Sequence, residues 1–145
     1  MEVIIELVVD ANVLVGELLR DRGQDLLEHI DLRLLIAPRA MNEAQHELRH
    51  RLDAMIRHGR IAAPRAALLI QAANGIMHRR LLVIPAAICE PLEVQARLRI
   101  RRDPDDWPTV AAAMATGAGI WTNDQDFCGC GLPVWSTETL LAVLG

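Results

Sequence analysis

Four acidic residues lie where their carboxylates could share one cation. Asp10 and Asp124 each follow an apolar run, Glu43 lies early in a long helical segment, and Asp106 ends an acidic segment that begins at Asp103. Carboxylates that meet at the mouth of a sheet repel one another unless a cation lies between them. The pattern therefore indicates a divalent metal, and a metal in an acidic cleft indicates phosphoryl chemistry.

The elements that position these acids alternate along the chain. Apolar runs predict strands over residues 3–9, 32–37, 81–85, 119–122 and 132–135, with the last strand at a sheet edge because it contains Pro133. Helical patterns lie between them, over residues 12–20, 24–30, 38–58, 64–80, 91–100 and 110–116, and Ser136 or Thr137 caps a last helix. Gly23 is expected to separate the first two helices. This order favours a single α/β domain over residues 1–145, with three layers (α/β/α) and a central parallel sheet of four to five strands.

In such a sheet, ligands bind beyond the carboxyl ends of the strands. If the strands before Asp10 and Asp124 are neighbours, their carboxylates face one cleft. Asp106 precedes the helix that leads into the fourth strand, so it reaches the cleft only if its loop folds back. Each acid also has a structural explanation, since Asp10 can cap a helix and Asp124 can belong to a turn. Asp103, Asp105 and Asp106 can favour a helix dipole.

Composition limits the class of protein. Apolar residues make up 52% of the 145 residues, and no apolar run approaches the roughly 20 residues that cross a bilayer. The opening Met1-Glu2 has an acid where a signal peptide needs positive charge. We therefore expect a cytoplasmic protein with no membrane partner. Three cysteines are an odd number, and Cys128-Gly129-Cys130 lacks a second ligand pair for zinc, so free thiols are expected.

The basic side chains are all arginine, because the chain contains no lysine. The net charge of −4 argues against a protein that coats nucleic acid, but it leaves a nuclease open, since acids and arginines can occupy separate patches. Four arginines cluster just before the acidic segment and could hold RNA phosphates, or they could form a solvated helix end. They are Arg97, Arg99, Arg101 and Arg102. For Trp107 and Trp121, core packing is favoured over stacking on bases.

Three segments resemble PIN-domain ribonucleases, and they occur in the family's order along essentially the whole chain. They are Leu7–Val15, Pro38–Glu43 and Asp103–Phe127. Each motif alone has little specificity, whereas three in register are fairly specific. The resemblance is greatest to the VapC-like toxins of type II toxin–antitoxin pairs.

This resemblance implies a PIN-like fold with an acidic site that binds Mg²⁺ or Mn²⁺. By position, the catalytic acids correspond to Asp10, Glu43, Asp106 and Asp124, and the metal ligands to Asp10, Asp106, Asp124 and Asp126. Asn12 and Thr122 correspond to polar positions that hydrogen-bond these acids. The Asp105–Asp106 doublet leaves open which of the two points inward. The resemblance also implies an RNA substrate, an antitoxin partner and a homodimer.

The leading hypothesis is a metal-dependent endoribonuclease that cleaves RNA with activated water, as the toxin of a toxin–antitoxin pair. Two alternatives stay open, namely a non-catalytic PIN-like module that binds nucleic acid or protein, and a metal-dependent phosphatase of small substrates. The absence of lysine excludes a P-loop nucleotide hydrolase. His46 and His50 lie one helical turn apart, but they lack a third ligand for a transition metal.

Overall fold

The computed structural model describes residues 3–145 as alternating strands and helices. The strands are β1 (Ile5–Val9), β2 (Leu32–Ile36), β3 (Leu81–Val83), β4 (Gly119–Trp121) and β5 (Val134–Trp135). The α-helices are α1 (Ala11–Leu18), α2 (Asp21–Leu27), α3 (Pro38–Arg57), α4 (Ala63–Arg80), α5 (Ala86–Cys89), α6 (Glu93–Arg99), α7 (Trp107–Thr116) and α8 (Thr137–Leu144). Short 3₁₀ turns cover Glu90–Leu92, Pro104–Asp106 and Gln125–Phe127.

The five strands form one sheet, in the order β3-β2-β1-β4-β5, and every neighbouring pair is parallel. The central strand is β1, where Val8 lies opposite Leu35 of β2 on one side and Ile120 of β4 on the other. Strand order reverses between β1 and β4, which is where α/β sheets bind ligands. The predicted α/β class with a parallel central sheet is confirmed, with five strands.

Helices flank this sheet, and their burial explains the apolar runs of the central strands. A parallel strand covered on both faces contains almost no polar residues, and Leu7, Val8 and Val9 are each 0% exposed. Helices α1 to α4 pack together as one group. Helices α5 and α6 pack on α7, which lies against β1 and β4. The carboxyl ends of β1 and β4 are therefore enclosed by helices from both groups.

Helix ends follow local signals in the sequence. Pro38 lies in the first turn of α3, where its missing N–H costs nothing, and the helix ends just before Gly59. Gly59 and Gly117 have φ values of +69° and +73°, a left-handed conformation that favours glycine after a helix. At the start of α8, the Ser136 hydroxyl accepts a hydrogen bond from the Thr139 N–H at 3.1 Å. Ser136 is thus one of the two caps that the sequence predicts.

Several helix boundaries differ from the prediction, among them those of α2, which spans Asp21–Leu27 instead of residues 24–30. Gly23 does not separate helices but lies inside α2, buried against the backbone of Glu17. Glycine is needed there for close approach between α1 and α2, and a pattern along the chain does not reveal that contact. Helix α7 begins at Trp107 instead of residue 110, because Pro108 is compatible with a first helical turn.

Two expectations from composition can be compared with the structure. Cys89, Cys128 and Cys130 are all free thiols, as predicted. None of the helices within residues 3–145 combines the length and the apolar character that crossing a bilayer requires.

The Gly23→Ala substitution should destabilise the protein by about 1–3 kcal/mol, because the added Cβ would overlap with the backbone of Glu17. The matched control is Gly16→Ala in α1, where an added Cβ meets nothing within 4 Å. That substitution should stabilise the helix by about 0.5–1 kcal/mol. Chemical denaturation measures both changes. A Gly23→Ala protein at least as stable as the wild type would contradict the packing.

Candidate active site

The carboxyl ends of β1 and β4 bring two distant parts of the chain together. The Asp10 N–H donates to the Trp121 carbonyl oxygen at 3.0 Å, which continues the pairing of these strands. Asp10 starts helix α1, and its side chain does not cap that helix. The residue is only 7% exposed. Asp10 is thus a buried carboxylate at the point where strand order reverses.

Thr122 connects the acids of the two strands. Its hydroxyl donates to Asp10 Oδ2 at 2.9 Å and accepts from the Asp124 N–H at 3.0 Å. This hydrogen bond to Asp10 lies where the resemblance implied one. Asp124 Oδ1 in turn accepts from the Asp126 N–H at 2.9 Å and caps the turn Gln125–Phe127. Asp124 is therefore a turn residue, and its negative charge also raises the pKa of Asp10.

Asp106 reaches the same region because the turn Pro104–Asp106 folds back over the strand ends. Burial raises the pKa of Asp106 to about 7, with further increases from the charges of Asp103, Asp10 and Asp124. Asp105, by contrast, is exposed, and its Oδ1 lies 3.7 Å from Arg97 Nη1. In the structure, Asp106 therefore faces the other acids, whereas Asp105 lies at the surface. The sequence alone left open which residue of this doublet points inward.

These acids surround a cleft of about 240 Å³. Its polar lining consists of Asp10, Asn12, Glu43, His46, Glu47 and Asp106. His46 and Glu47 were not among the predicted site residues, although they follow Glu43 by three and four positions and so share its helix face. Asp124 acts on the cleft through its charge but does not line it.

Glu47 pairs with Arg51 at 3.0 Å, but in the described part of the chain the other acids of the cleft are not compensated by arginine. Within residues 3–145, none of Asp10, Glu43, Asp106 and Asp124 forms an ion pair. Burial raises the pKa of Asp10, the Thr122 hydrogen bond opposes that rise, and the charges of Asp124 and Glu43 add to it. Charge repulsion therefore favours either a bound proton or a bound cation.

A divalent cation fits this cleft in its donor chemistry, because Mg²⁺ and Mn²⁺ prefer carboxylate oxygens and would offset the repulsion. The arrangement of possible ligands is less complete than the donor chemistry. Across residues 3–145, no three His, Cys, Asp or Glu side chains are grouped closely enough to hold a metal ion. The acids interact as charges across the cleft without forming a closed set of ligands.

Three of the four predicted RNA-binding arginines have intramolecular partners. Arg97 pairs with Glu93 at 3.0 Å, and Arg99 donates to the Cys130 carbonyl oxygen at 2.9 Å. The Arg102 guanidinium lies 3.9 Å from Asp126. A cavity of about 450 Å³ is lined by residues that include Arg99, Arg101, Arg102 and Asp126. The role of Asp126 as a metal ligand stays a prediction, since its side chain faces this neighbouring cavity.

Trp107 packs in the core next to Asp106. It is 5% exposed, and Trp121 is 0% exposed, so core packing accounts for both residues. The guanidinium carbons of Arg39 and Arg97 lie 5.6 Å and 5.7 Å from the Trp107 ring centroid. Arg39 is not among the predicted site residues, because nothing in its local sequence indicates that it reaches this ring.

Comparisons with known proteins agree with this fold. A family profile described as PIN domain matches residues 8–145. Among solved structures, the crystal structure of PAE2754 from Pyrobaculum aerophilum is similar, with a TM-score of 0.67 and 18% sequence identity. That match covers 97% of this chain and 95% of the other, and at this identity it supports the fold alone. No curated protein matches the chain.

The Thr122→Val substitution should reduce the free energy of unfolding by about 1.5–3 kcal/mol, because it removes a hydrogen bond to a buried carboxylate. It also leaves the Asp124 N–H without its acceptor. Thr122→Ser keeps the hydroxyl and should retain most of the stability. Urea titration compares the two variants, and a Thr122→Val protein that is at least as stable as Thr122→Ser would mean that the methyl group, and not the hydroxyl, matters.

The Asp106→Asn substitution should change how the stability of the metal-free protein depends on pH. The folded protein keeps the Asp106 proton up to about pH 7, whereas the ordinary pKa is 3.8. The wild type should therefore lose stability as the pH rises through this range, and the variant should lose less. Thermal melting in EDTA from pH 4.5 to 8 measures the effect. Asp105→Asn is the control and should follow the wild type.

Proposed function

The chain belongs to the PIN-domain family, which has a nuclease-type fold, and on that premise we propose that it is a Mg²⁺- or Mn²⁺-dependent endoribonuclease. One observation carries the proposal. The buried Asp10 and the folded-back Asp106 face one cleft at the strand-order reversal without an arginine to neutralise them. A site that stores repulsion between carboxylates at this position is suited to a hard cation and to phosphodiester chemistry.

In this proposal, Asp10, Asp106 and Asp124 would hold the cation, with Asp126 as a further ligand whose N–H also supports Asp124. A bound cation would supply neutralisation of the charge on the scissile phosphate and a lower pKa of water. Glu43, which is exposed at the cleft edge, would orient the attacking water. Thr122 keeps the Asp10 carboxylate in position, and Asn12 offers an amide to the phosphate.

RNA is the proposed substrate, and its phosphates would lie against the arginine cavity beside Asp126. Arg101 supports this role most directly, since it is exposed and forms no ion pair within residues 3–145. The resemblance to VapC-like toxins supports the further proposal of a cytoplasmic toxin that forms a homodimer and is inhibited by an antitoxin.

A non-catalytic PIN-like module is the second candidate. The observation in its favour is that the described acids do not form a closed set of metal ligands. Calorimetric titration with Mg²⁺ separates the two functions. A nuclease should bind the ion, and Asp10→Asn should weaken that binding, whereas a module without metal should release no heat.

The Asp10→Asn and Asp124→Asn substitutions should each lower RNA cleavage in Mg²⁺ by at least about 100-fold, because each removes a charge that positions the cation. EDTA should abolish cleavage by the wild type. Asp53→Asn is the matched control, since Asp53 is an exposed acid on the same helix as Glu43 and lies outside the cleft. Gel electrophoresis of a labelled RNA measures the products, and unchanged cleavage in either cleft variant would refute the mechanism.

A further inference from the structure

A second cavity lies directly beside the acidic cleft, between α3 and α4. Its volume is about 540 Å³, within the range on the order of 300–1,000 Å³ that is typical of small-ligand sites. Met41, Leu48, Ile70 and Met77 provide its apolar surface. Its polar residues are Gln45, His46, Arg49, Asn74 and His78. We refer to this cavity as the α3–α4 groove.

The groove and the acidic cleft share a wall. His46 of α3 lines both cavities, so its side chain lies where the groove meets the cleft. A chain molecule whose phosphate occupies the cleft can therefore continue into the groove past His46. The groove is thus adjacent to the proposed point of cleavage.

Charge distinguishes the two cavities. The cleft is lined by carboxylates, whereas no residue that lines the groove is Asp or Glu. Arg49 contributes a guanidinium, and within residues 3–145 it forms no ion pair. A phosphate is repelled by the cleft in the absence of a cation, but it meets an uncompensated positive charge in the groove.

We propose that the α3–α4 groove is a nucleotide subsite that binds the residue of single-stranded RNA next to the bond cleaved in the acidic cleft. This inference rests on the proposed function and adds where the substrate lies. The Met and Ile side chains pack against the face of a base. The amides of Gln45 and Asn74 present both donors and acceptors to its edge. Arg49 binds the adjoining phosphate.

Methionine methyl groups test this location directly. Met41 and Met77 line the groove, whereas Met55 lines a different cavity and Met114 lies on α7. In EDTA, a short single-stranded RNA should shift the ¹³C-methyl resonances of Met41 and Met77 and leave those of Met55 and Met114 unchanged. If RNA binds without shifting the methyl resonances of Met41 and Met77, the subsite is wrong. The groove would then be a candidate site for a peptide partner.

Arg49→Ala and Asn74→Ala test the side chains. Arg49→Ala should raise the Kd for the same RNA by about tenfold, and Asn74→Ala by a smaller factor. Arg57→Ala is the matched control, because Arg57 is an exposed arginine of α3 that lies outside the groove. Fluorescence anisotropy in EDTA measures affinity without cleavage. Equal Kd values for the Arg49 and Arg57 variants would refute the subsite.

Failure of the subsite and failure of the proposed function give different results. If Asp10→Asn abolishes cleavage while the groove variants bind RNA like the wild type, the subsite alone is wrong. If Asp10→Asn cleaves normally, the metal mechanism is wrong, whatever the methyl resonances show.

Discussion

The parallel pairing of β1 with β4 is the constraint on which the site depends. It sets Asp10 beside Trp121 through a backbone hydrogen bond of 3.0 Å, although these residues belong to opposite ends of the chain. Once the strands are neighbours, Asp10 and Asp124 share one edge of the sheet. Thr122 then holds both of them through a single hydroxyl. Without this pairing, each acid would lie alone at the start of a helix or in a turn. The local sequence around each acid is also compatible with that purely structural role.

The same arrangement concentrates charge that the protein does not neutralise internally. Burial of Asp10 and Asp106 in a low-dielectric region raises the pKa of each carboxyl, and neighbouring acids increase the effect. Acids elsewhere do have arginine partners, as Glu93 and Asp105 have in Arg97. Repulsion left unrelieved at one cleft reduces stability, and proteins retain such sites where function requires them.

Much of the fold could be predicted because its signals are local. Apolar runs mark the strands to within about two residues, and Pro38 with Gly59 marks the longest helix. Contacts between elements have no such signal. Gly23 resembles a helix break in the sequence, but it is the position where α2 approaches Glu17. Asp106 belongs to the approach to α7 along the chain, and only the folded turn brings it over the cleft. The inclusion of His46 and Glu47 in the cleft follows from helix packing in the same way.

By itself, the sequence determined the α/β class and the parallel sheet, because hydrophobic period and residue type are properties of a single segment. Tertiary structure alone decided which of Asp105 and Asp106 faces inward, that Thr122 joins the two acidic strands, and that a groove free of carboxylates adjoins the cleft. These features depend on distances between segments far apart in the chain. Such distances are set by how helices pack on the sheet, and no local pattern encodes them.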